Sequence, residues 1–239
     1  MSDIKGKIQS FQSLGTVDGP GVRYVVFMQG CNLRCSCCHN PETWDIEKGN
    51  EFSPEDVYNK IIRYKEYFGS VGGITVSGGE PLLQPEFVCK LFELCHSAGI
   101  NTCLDTSGSV INDQVIALLR VTDRVLLDIK YCDNERYRKH VGCTLNKVLE
   151  FLNLLNNLKI PVTVRQVIIP EINGNEDDII HLKKLIKPFG SVDKIELLPF
   201  KKICITKYET LDIKFPFEQM REPSREEMEK LNSILKANT

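Results

Sequence analysis

The sequence of 239 residues predicts an α/β fold in which about six strands alternate with helices and form a parallel sheet. Short apolar runs of strand length alternate along the chain with segments of helical periodicity. Alternation alone fits an open sheet as well as a barrel. The polar and glycine-rich motifs, however, fall where strands end, and barrels place their active sites there. We therefore predict a partial (β/α)6 barrel of the TIM type, open at one side.

Each predicted strand is a short apolar or alternating run bounded by turn residues. A short edge strand at 7–11 precedes six core strands, at 23–29, 73–77, 101–105, 124–129, 161–169 and 194–198. The helices carry apolar side chains on one stripe and begin or end at capping residues such as Ser53 and Gly99. They are predicted at 53–68, 84–98, 113–121, 145–158, 176–188 and 224–237, and the segment 201–222 is predicted to be irregular.

The composition is that of a globular protein, with 42% hydrophobic and 26% charged residues. A net charge of −2 gives no reason to expect binding to nucleic acid or to an anionic membrane. The N-terminus has no apolar signal core and no stretch approaches transmembrane length, so we expect a cytoplasmic protein. The length fits one domain over 1–239, with a core at about 8–200 and a C-terminal extension at 201–239.

Four of the ten cysteines lie within eight positions, directly after the strand at 23–29. Cys31, Cys35 and Cys38 form a C-x3-C-x2-C pattern. Thiolates are soft ligands that suit iron–sulfur clusters, Cu(I) or zinc. A [4Fe-4S] cube normally takes four thiolates, so three would leave one iron open to a substrate. The six scattered cysteines are expected to be small buried residues.

Two other interpretations of this loop stay open. A zinc site would take His39 as its fourth ligand, although structural zinc sites usually use paired C-x2-C halves. An electron-relay cluster would need a fourth thiolate, and Cys37 is directly beside Cys38, which is an awkward spacing for one cube.

The C-x3-C-x2-C pattern resembles the cluster motif of the radical S-adenosylmethionine (SAM) enzymes. Five further segments resemble more specifically the pyruvate formate-lyase activating enzymes, and the resemblance extends from about residue 8 to about residue 200. These segments are Thr16-Val17-Asp18-Gly19-Pro20-Gly21, Cys38-His39-Asn40-Pro41, Ser77-Gly78-Gly79-Glu80-Pro81, Leu104-Asp105-Thr106 and Leu127-Asp128-Ile129-Lys130.

The resemblance implies a [4Fe-4S] cluster on Cys31, Cys35 and Cys38, with SAM bound at the open iron. It implies that the loop Gly78-Gly79-Glu80 binds the amino group of SAM. The further residues predicted to bind SAM are Cys37, His39, Asp128, Lys130, Arg165 and Lys201. Arg165 has the alternative of being a solvated strand residue.

Two of these positions depart from the family pattern. The family usually has an aromatic residue before the last cysteine, near the adenine of SAM, where this chain has Cys37. It commonly has a histidine after the aromatic residue of the last strand, where this chain has Lys201 after Phe200. Either Lys201 replaces that contact with SAM, or the contact is missing.

Acidic residues end two neighbouring predicted strands. A lone Asp at a strand end is usually a helix cap, but Asp105 and Asp128 occur together with Lys130. The resemblance implies that Asp105, Thr106 and Asp128 bind a monovalent cation, Na⁺ or K⁺, for which hard oxygen ligands are suited.

The resemblance implies an oxidoreductase of anaerobic metabolism that activates a glycyl radical enzyme of the pyruvate formate-lyase type. Asp18 and His39 are predicted to contact the protein substrate, and a flavodoxin or ferredoxin is the expected electron donor. The 40 residues from Cys38 to Gly78 contain no further cysteine, which favours the formate-lyase type over activating enzymes with a ferredoxin-like insertion. The alternatives are a radical SAM enzyme for a small molecule or for a different glycyl radical enzyme, and a non-catalytic iron–sulfur or zinc protein.

Overall fold

A computed structural model of the chain describes residues 4–237, which contain eight strands and nine α-helices. The strands are β1 (Gly6–Gly15), β2 (Arg23–Met28), β3 (Asn50–Phe52), β4 (Gly73–Gly78), β5 (Asn101–Thr106), β6 (Arg124–Asp128), β7 (Val162–Ile168) and β8 (Val192–Pro199). The helices are α1 (Pro54–Ile61), α2 (Pro85–Ser97), α3 (Asp113–Leu119), α4 (Asn134–His140), α5 (Leu145–Asn157), α6 (Pro170–Asn173), α7 (Glu176–Ile186), α8 (Ile205–Thr210) and α9 (Arg225–Lys236).

All eight strands form one sheet in the order β3-β1-β2-β4-β5-β6-β7-β8. Strands β2 and β4 to β8 run parallel, and a crossover with at least one helix connects each neighbouring pair. Within residues 4–237 the sheet ends at β3 and β8 and does not close. The predicted partial (β/α)6 barrel is therefore confirmed, with β1 added antiparallel to β2 and β3 added antiparallel to β1.

One apolar cluster joins the parallel strands to the helices that pack on them. Its fully buried members include Val76, Leu104, Leu127 and Val164 of the strands and Phe92, Leu118, Leu152 and Leu182 of the helices. Each such side chain contributes about 1.5–3 kcal/mol when it leaves water. The carboxyl ends of the strands, and the loops that follow them, are therefore held on a rigid support.

Capping residues fix where several helices start. Ser53 accepts a hydrogen bond from the Asp56 amide, and the Asp56 carboxylate accepts one in return from the Ser53 amide. Ser224 and Glu227 form the same capping box at the start of α9. Helix α2 ends as predicted just before Gly99, whose φ of +69° lies in the left-handed region that glycine adopts readily.

The structure differs from the sequence-based prediction at several elements. Strand β1 extends to Gly15 and pairs with strands on both sides, so it is not an edge strand. The helix predicted at 53–68 is α-helical only to Ile61 and continues as a 3-10 helix over Ile62–Tyr67. Helix α8 lies inside the segment predicted to be irregular. Helix α4 was not predicted, because its seven residues are mostly charged and bury only Tyr137.

No helix within residues 4–237 has both the length and the apolar character that crossing a membrane requires.

Candidate active site

A cavity of about 300 Å³ opens at the carboxyl end of the parallel strands. It collects residues from the loops after β2, β4 and β5 and from the ends of β6, β7 and β8. Of the residues predicted to form the site, the cavity is lined by Asp18, Cys31, Cys35, Cys37, Cys38, His39, Gly78, Gly79, Glu80, Asp105, Thr106, Asp128, Lys130 and Arg165. Lys201 is the predicted site residue that lies outside it.

The cysteine loop, residues 30–38, leaves β2 at a glycine that no other residue could replace without a shift. Gly30 has φ of +95°, and a Cβ there would lie 2.1 Å from Cδ1 of Ile46. The middle of the loop is held by the end of α4. The Arg34 amide donates to the Val141 carbonyl at 3.1 Å, and the Ser36 amide donates to the His140 carbonyl at 2.8 Å. The helix missed by the sequence analysis therefore supports the loop.

The loop presents its cysteine side chains in a half-buried setting. The Leu33 amide donates to Cys31 Sγ at 3.5 Å, and the Asn40 amide donates to Cys38 Sγ at 3.4 Å. Burial raises the pKa of Cys31 and of Cys37 to about 11, and it also raises the pKa of Cys35 and Cys38. The thiols are therefore protonated at neutral pH, and binding of a metal must release their protons.

The donor set fits a cluster better than a single ion. All ten cysteines are free thiols, and three of the four in the loop have the spacing of a cluster motif. Within the described part of the chain, no three His, Cys, Asp or Glu side chains converge on one ion position. An iron–sulfur cube takes one thiolate on each iron, so its ligands need to face one cavity but not one point.

The C-terminal extension covers the outer side of the turn that follows Cys38. The Tyr208 hydroxyl donates to the Cys38 carbonyl at 3.2 Å. Lys207 Nζ donates to Asn40 Oδ1 at 2.8 Å and forms an ion pair with Glu42 at 2.5 Å. Helix α8 therefore fixes the backbone of this turn.

His39 joins the cavity to the extension. Its Nε2 donates to the Lys201 carbonyl at 2.9 Å, and burial lowers the pKa of its imidazole. The Lys201 ammonium points elsewhere, because it pairs with Glu222 at 2.8 Å and its side chain is 47% exposed. The structure therefore brings the backbone of Lys201, and not its charge, to the site.

Two glycines let the loop after β4 lie against the cysteine loop. A Cβ on Gly78, whose φ is +106°, would lie 2.3 Å from the Met28 nitrogen, and a Cβ on Gly79 would lie 2.1 Å from the Gly30 oxygen. The Gly79 amide donates to the Met28 carbonyl at 2.9 Å, and the Glu80 amide donates to the Gly30 carbonyl at 2.8 Å. Only glycine permits this backbone contact.

The Glu80 carboxylate fixes two loops and has no free oxygen for a ligand. It is 1% exposed and accepts from the Thr106 hydroxyl at 2.6 Å, the Leu82 amide at 3.1 Å and both the amide and the hydroxyl of Ser107. Burial raises its pKa, and these hydrogen bonds oppose the rise. The Thr106 hydroxyl is also occupied, because it accepts from the Gly108 amide at 3.0 Å.

A row of four charged side chains crosses the floor of the cavity. Arg165 contacts Asp105 and also donates to Asp128 at 3.2 Å, and Lys130 pairs with Asp128 at 2.7 Å. Burial alone would raise the pKa of Asp128, but the positive charges of Lys130 and Arg165 outweigh it and hold the pKa below its usual range. Asp105 also accepts from the Ser77 hydroxyl at 2.7 Å.

This row bears on the predicted cation site. Asp105 and Asp128 lie close together, as predicted, but the guanidinium of Arg165 lies between them. Binding of a monovalent cation therefore remains a prediction that requires Arg165 to release one of the two carboxylates.

Asp18 reaches the cavity because a buried arginine anchors its loop. Arg23, which is fully buried, donates to Thr75 Oγ1 at 3.0 Å and to Asn101 Oδ1 at 2.8 Å. The Thr75 hydroxyl in turn donates to the Asp18 carbonyl at 2.6 Å. Burial and the nearby Asp105 raise the pKa of Asp18. The sequence analysis missed this role of Arg23. The sequence signal that could have indicated it is an arginine at the start of an otherwise apolar strand.

The sequence analysis also missed the apolar wall of the cavity. This wall consists of Phe27, Leu33, Trp44, Val167 and Leu198. A second apolar cluster, which includes Phe200 and Tyr208, packs against Cys37, Trp44 and Val167. Alternation along β7 and β8 gives the only sequence signal for Val167 and Leu198.

Comparison with known proteins is consistent with this geometry. Residues 25–183 match the family model of the radical SAM superfamily. The chain is 42% identical over 234 residues to the pyruvate formate-lyase-activating enzyme of Clostridium pasteurianum, covering 98% of each chain. It is 43% identical over 231 residues to the same enzyme of Staphylococcus aureus strain USA300, covering 93% of this chain and 92% of the relative.

Solved structures share the fold. A domain of the pyruvate formate-lyase-activating enzyme from Bacteroides vulgatus aligns with a TM-score of 0.56 at 24% identity, over 69% of this chain and 92% of that one. Streptococcus suis SuiB, bound to its precursor peptide SuiA, aligns with a TM-score of 0.69 at 15% identity, over 87% of this chain and 44% of that one. With relatives that match over nearly its whole length, the chain belongs to the radical SAM superfamily and, within it, to the pyruvate formate-lyase-activating enzymes.

Proposed function

We propose that this protein activates a glycyl radical enzyme, a pyruvate formate-lyase, by moving a hydrogen atom from a glycine Cα of that enzyme to a radical derived from SAM. The observation that supports this proposal is the single cavity shared by the cysteine loop, the Gly78-Gly79 loop, the charged row and Asp18. The family membership and the relatives at 42% and 43% identity support it independently.

Cys31, Cys35 and Cys38 would hold a [4Fe-4S] cluster, because they line the cavity on a loop that three other segments fix. When bound, the cluster would supply the one electron needed for reductive cleavage of a C–S bond of SAM, which is the source of the radical that accepts the glycine hydrogen. The amide donors to Cys31 and Cys38 are of the kind that tune the potential of a cluster.

The remaining residues bind and orient SAM in this proposal. The carbonyl groups of Gly78 and Gly79, which line the cavity, would accept from the amino group, and Lys130 and Arg165 would offer positive charge to the carboxylate. Glu80 holds the glycine loop without touching the ligand. Cys37 and the apolar wall would line the part of the cavity that holds the adenine ring of SAM. Lys201 contributes through its carbonyl, which orients His39.

The protein substrate would enter at the side of Asp18 and His39. Asp18 can accept a backbone N–H of the glycine loop of the partner, and the neutral imidazole of His39 offers its second nitrogen to the same loop. We also propose a monovalent cation at Asp105, Thr106 and Asp128, a flavodoxin or ferredoxin as electron donor, and a cytoplasmic location. The ten free thiols suit a reducing compartment.

The test uses the anaerobically reconstituted protein and purified pyruvate formate-lyase. Electron paramagnetic resonance of the reduced protein should show a cluster signal that SAM reshapes, since SAM binds at the open iron. Adding the partner should then give a glycyl radical signal together with one 5′-deoxyadenosine for each radical. A cluster signal indifferent to SAM would contradict the proposal, and so would SAM cleavage that never produces a radical on the partner.

A further inference from the structure

A second concave surface lies on the outer side of the cysteine loop. This outer groove has a volume of about 830 Å³. The residues that line it are Cys31, Asn32, Arg34, Pro41, Glu42, Trp44, Asp45, Ile46, Lys48, Leu83, Leu211 and Ile213. It is separate from the active-site cavity, which opens at the carboxyl ends of the strands. Of the residues proposed to hold the cluster or SAM, the cluster ligand Cys31 and Trp44 of the apolar wall also contribute to it.

Cys31 and Trp44 line both the outer groove and the active-site cavity. The two spaces therefore adjoin at these two residues. A cluster held in the active-site cavity would have one of its three ligands, Cys31, shared with the outer groove. An electron that arrives in the groove could reach the cluster through that ligand.

We propose that the outer groove is the docking site for an acidic electron-carrier protein of the flavodoxin kind. The inference rests on the proposed function, because that function requires one electron from outside for each SAM cleaved. During turnover SAM and the glycine of the partner occupy the active-site cavity, so a donor needs a different route to the cluster. The groove offers that route without displacing either of them.

The rim of the groove is apolar and exposed. Ile46, Leu83 and Ile213 are 39%, 36% and 38% exposed, respectively. The edge of a flavin ring that carries its two methyl groups is also apolar, and an open groove with such a rim can take up this edge. The exposed apolar side chains therefore favour a flavin carrier over one whose redox group lies beneath a polar surface.

The charges of the groove favour an acidic partner. Glu42 is neutralised by Lys207 at 2.5 Å, and the Asp45 carboxylate accepts from the Glu47 amide at 3.0 Å. Within residues 4–237, neither Arg34 nor Lys48 forms an ion pair with a carboxylate of this chain. Arg34 is held over the ring of Trp44, 5.0 Å from its centroid. Asp45 keeps its negative charge, since an amide hydrogen bond does not neutralise it, but Arg34 and Lys48 outnumber it and the charge left for a partner is positive.

The experiment compares two reductants on one double variant, Lys48→Glu with Ile213→Asp. The reductants are a purified acidic flavodoxin in its reduced form and photoreduced 5-deazaflavin, a small molecule that needs no docking surface. With flavodoxin we expect cluster reduction to slow by about tenfold or more, as loss of charge complementarity slows association. With deazaflavin the rate should equal that of the wild type. The readout is the cluster signal itself, so it does not depend on activation of the partner enzyme.

A matched control reverses a charge and adds a carboxylate far from the groove, at Lys184→Glu with Leu158→Asp. Leu158 is 37% exposed, as Ile213 is 38% exposed, and the control should behave as the wild type with both reductants. An unchanged flavodoxin rate in the groove variant would overturn the proposal, and so would an equal loss in the control. If the groove variant slowed with both reductants, calorimetric titration with oxidised flavodoxin would decide, since an unchanged affinity overturns the proposal and a lost affinity supports it.

Two further comparisons separate the possible failures. A reduced ferredoxin that supports cluster reduction, and loses that ability in the groove variant while flavodoxin does not, would refute the flavin carrier as the occupant. A wild-type protein that is reduced normally through the groove but forms no glycyl radical would instead refute the proposed function.

Discussion

Replacing Gly79 with alanine tests the contact between the two loops that build the site. A Cβ at this position would lie 2.1 Å from the Gly30 oxygen, whereas ordinary contacts of this kind begin at 3.4 Å. The atom in the way is backbone, so it cannot rotate aside. The glycine loop and the cysteine loop must therefore separate by about 1 Å or more, as overpacking forces backbone shifts.

The cost can be worked out from the two effects of this separation. Overpacking a rigid site costs about 1–3 kcal/mol. The hydrogen bond from the Glu80 amide to the Gly30 carbonyl, 2.8 Å long, would also weaken, which costs about 0.5–1.5 kcal/mol. We expect Gly79→Ala to lower the free energy of unfolding by about 1.5–4.5 kcal/mol, the sum of these two terms.

Gly190→Ala is the matched control. Gly190 lies in open space, with no atom within 4 Å of an added Cβ, and its φ lies outside the left-handed region. Alanine there should leave stability unchanged or raise it by about 0.4–1 kcal/mol, because it restricts the unfolded chain.

The assay is anaerobic urea unfolding of both variants, followed by SAM titration of the reconstituted proteins. Gly79→Ala should unfold at lower urea and bind SAM more weakly, while Gly190→Ala should match the wild type in SAM binding. Equal unfolding midpoints for the two variants would refute the contact, and normal SAM affinity in Gly79→Ala would refute the role assigned to this loop.

Three other outcomes follow from the structure. Cys38→Ser should lose the cluster, whereas Cys37→Ser should retain it and change only SAM binding, as iron and sulfide analysis will show; equal cluster loss in both would contradict the ligand assignment. Lys207→Met should speed the loss of iron to a chelator, because it frees the turn that follows Cys38, and an unchanged rate would argue against support by α8. Asp193→Asn removes the negative charge and one of the two oxygen acceptors through which Arg124 lowers the pKa of Asp193, so it should cost about 0.5–1 kcal/mol at pH 7. Because the folded-state pKa is depressed, that difference is present above the ordinary Asp pKa of 3.8 and should vanish as the pH falls below it; a difference that persists in acid would rule out this cause.

The six parallel strands, β1 and most helices could be predicted because their signals are local, whereas the three-residue strand β3 was missed. Apolar runs, Ser53 and Gly99 mark boundaries that depend on nearby residues, and the structure agrees with them to within a few residues. The gathering of motifs at strand ends was enough to predict the barrel. It could also place Asp105 and Asp128 side by side, since they end neighbouring parallel strands.

The parts that could not be predicted depend on distant partners. Arg23 donates hydrogen bonds to Thr75 and Asn101 on two other strands, so the burial of its guanidinium can be explained only from the assembled sheet. The sequence could not decide whether Arg165 faces the cavity or solvent. Its contacts with Asp105 and Asp128 depend on how three neighbouring strands are aligned in the sheet. Helix α8 was missed because what holds it is packing against Cys38 and its neighbours, more than 160 residues away in sequence.

That separation also sets the order in which the protein can mature. The cysteine loop leaves the ribosome early, but the Tyr208 hydroxyl that holds its far end is 170 residues downstream. At a synthesis rate of about 5–20 residues per second, roughly 10–30 s pass before α8 exists. During that interval the loop has thiols but lacks its outer support. A cluster delivered to the nascent chain would be bound by a loop that α8 does not yet support. Stable cluster insertion is therefore expected only after synthesis of the chain is complete.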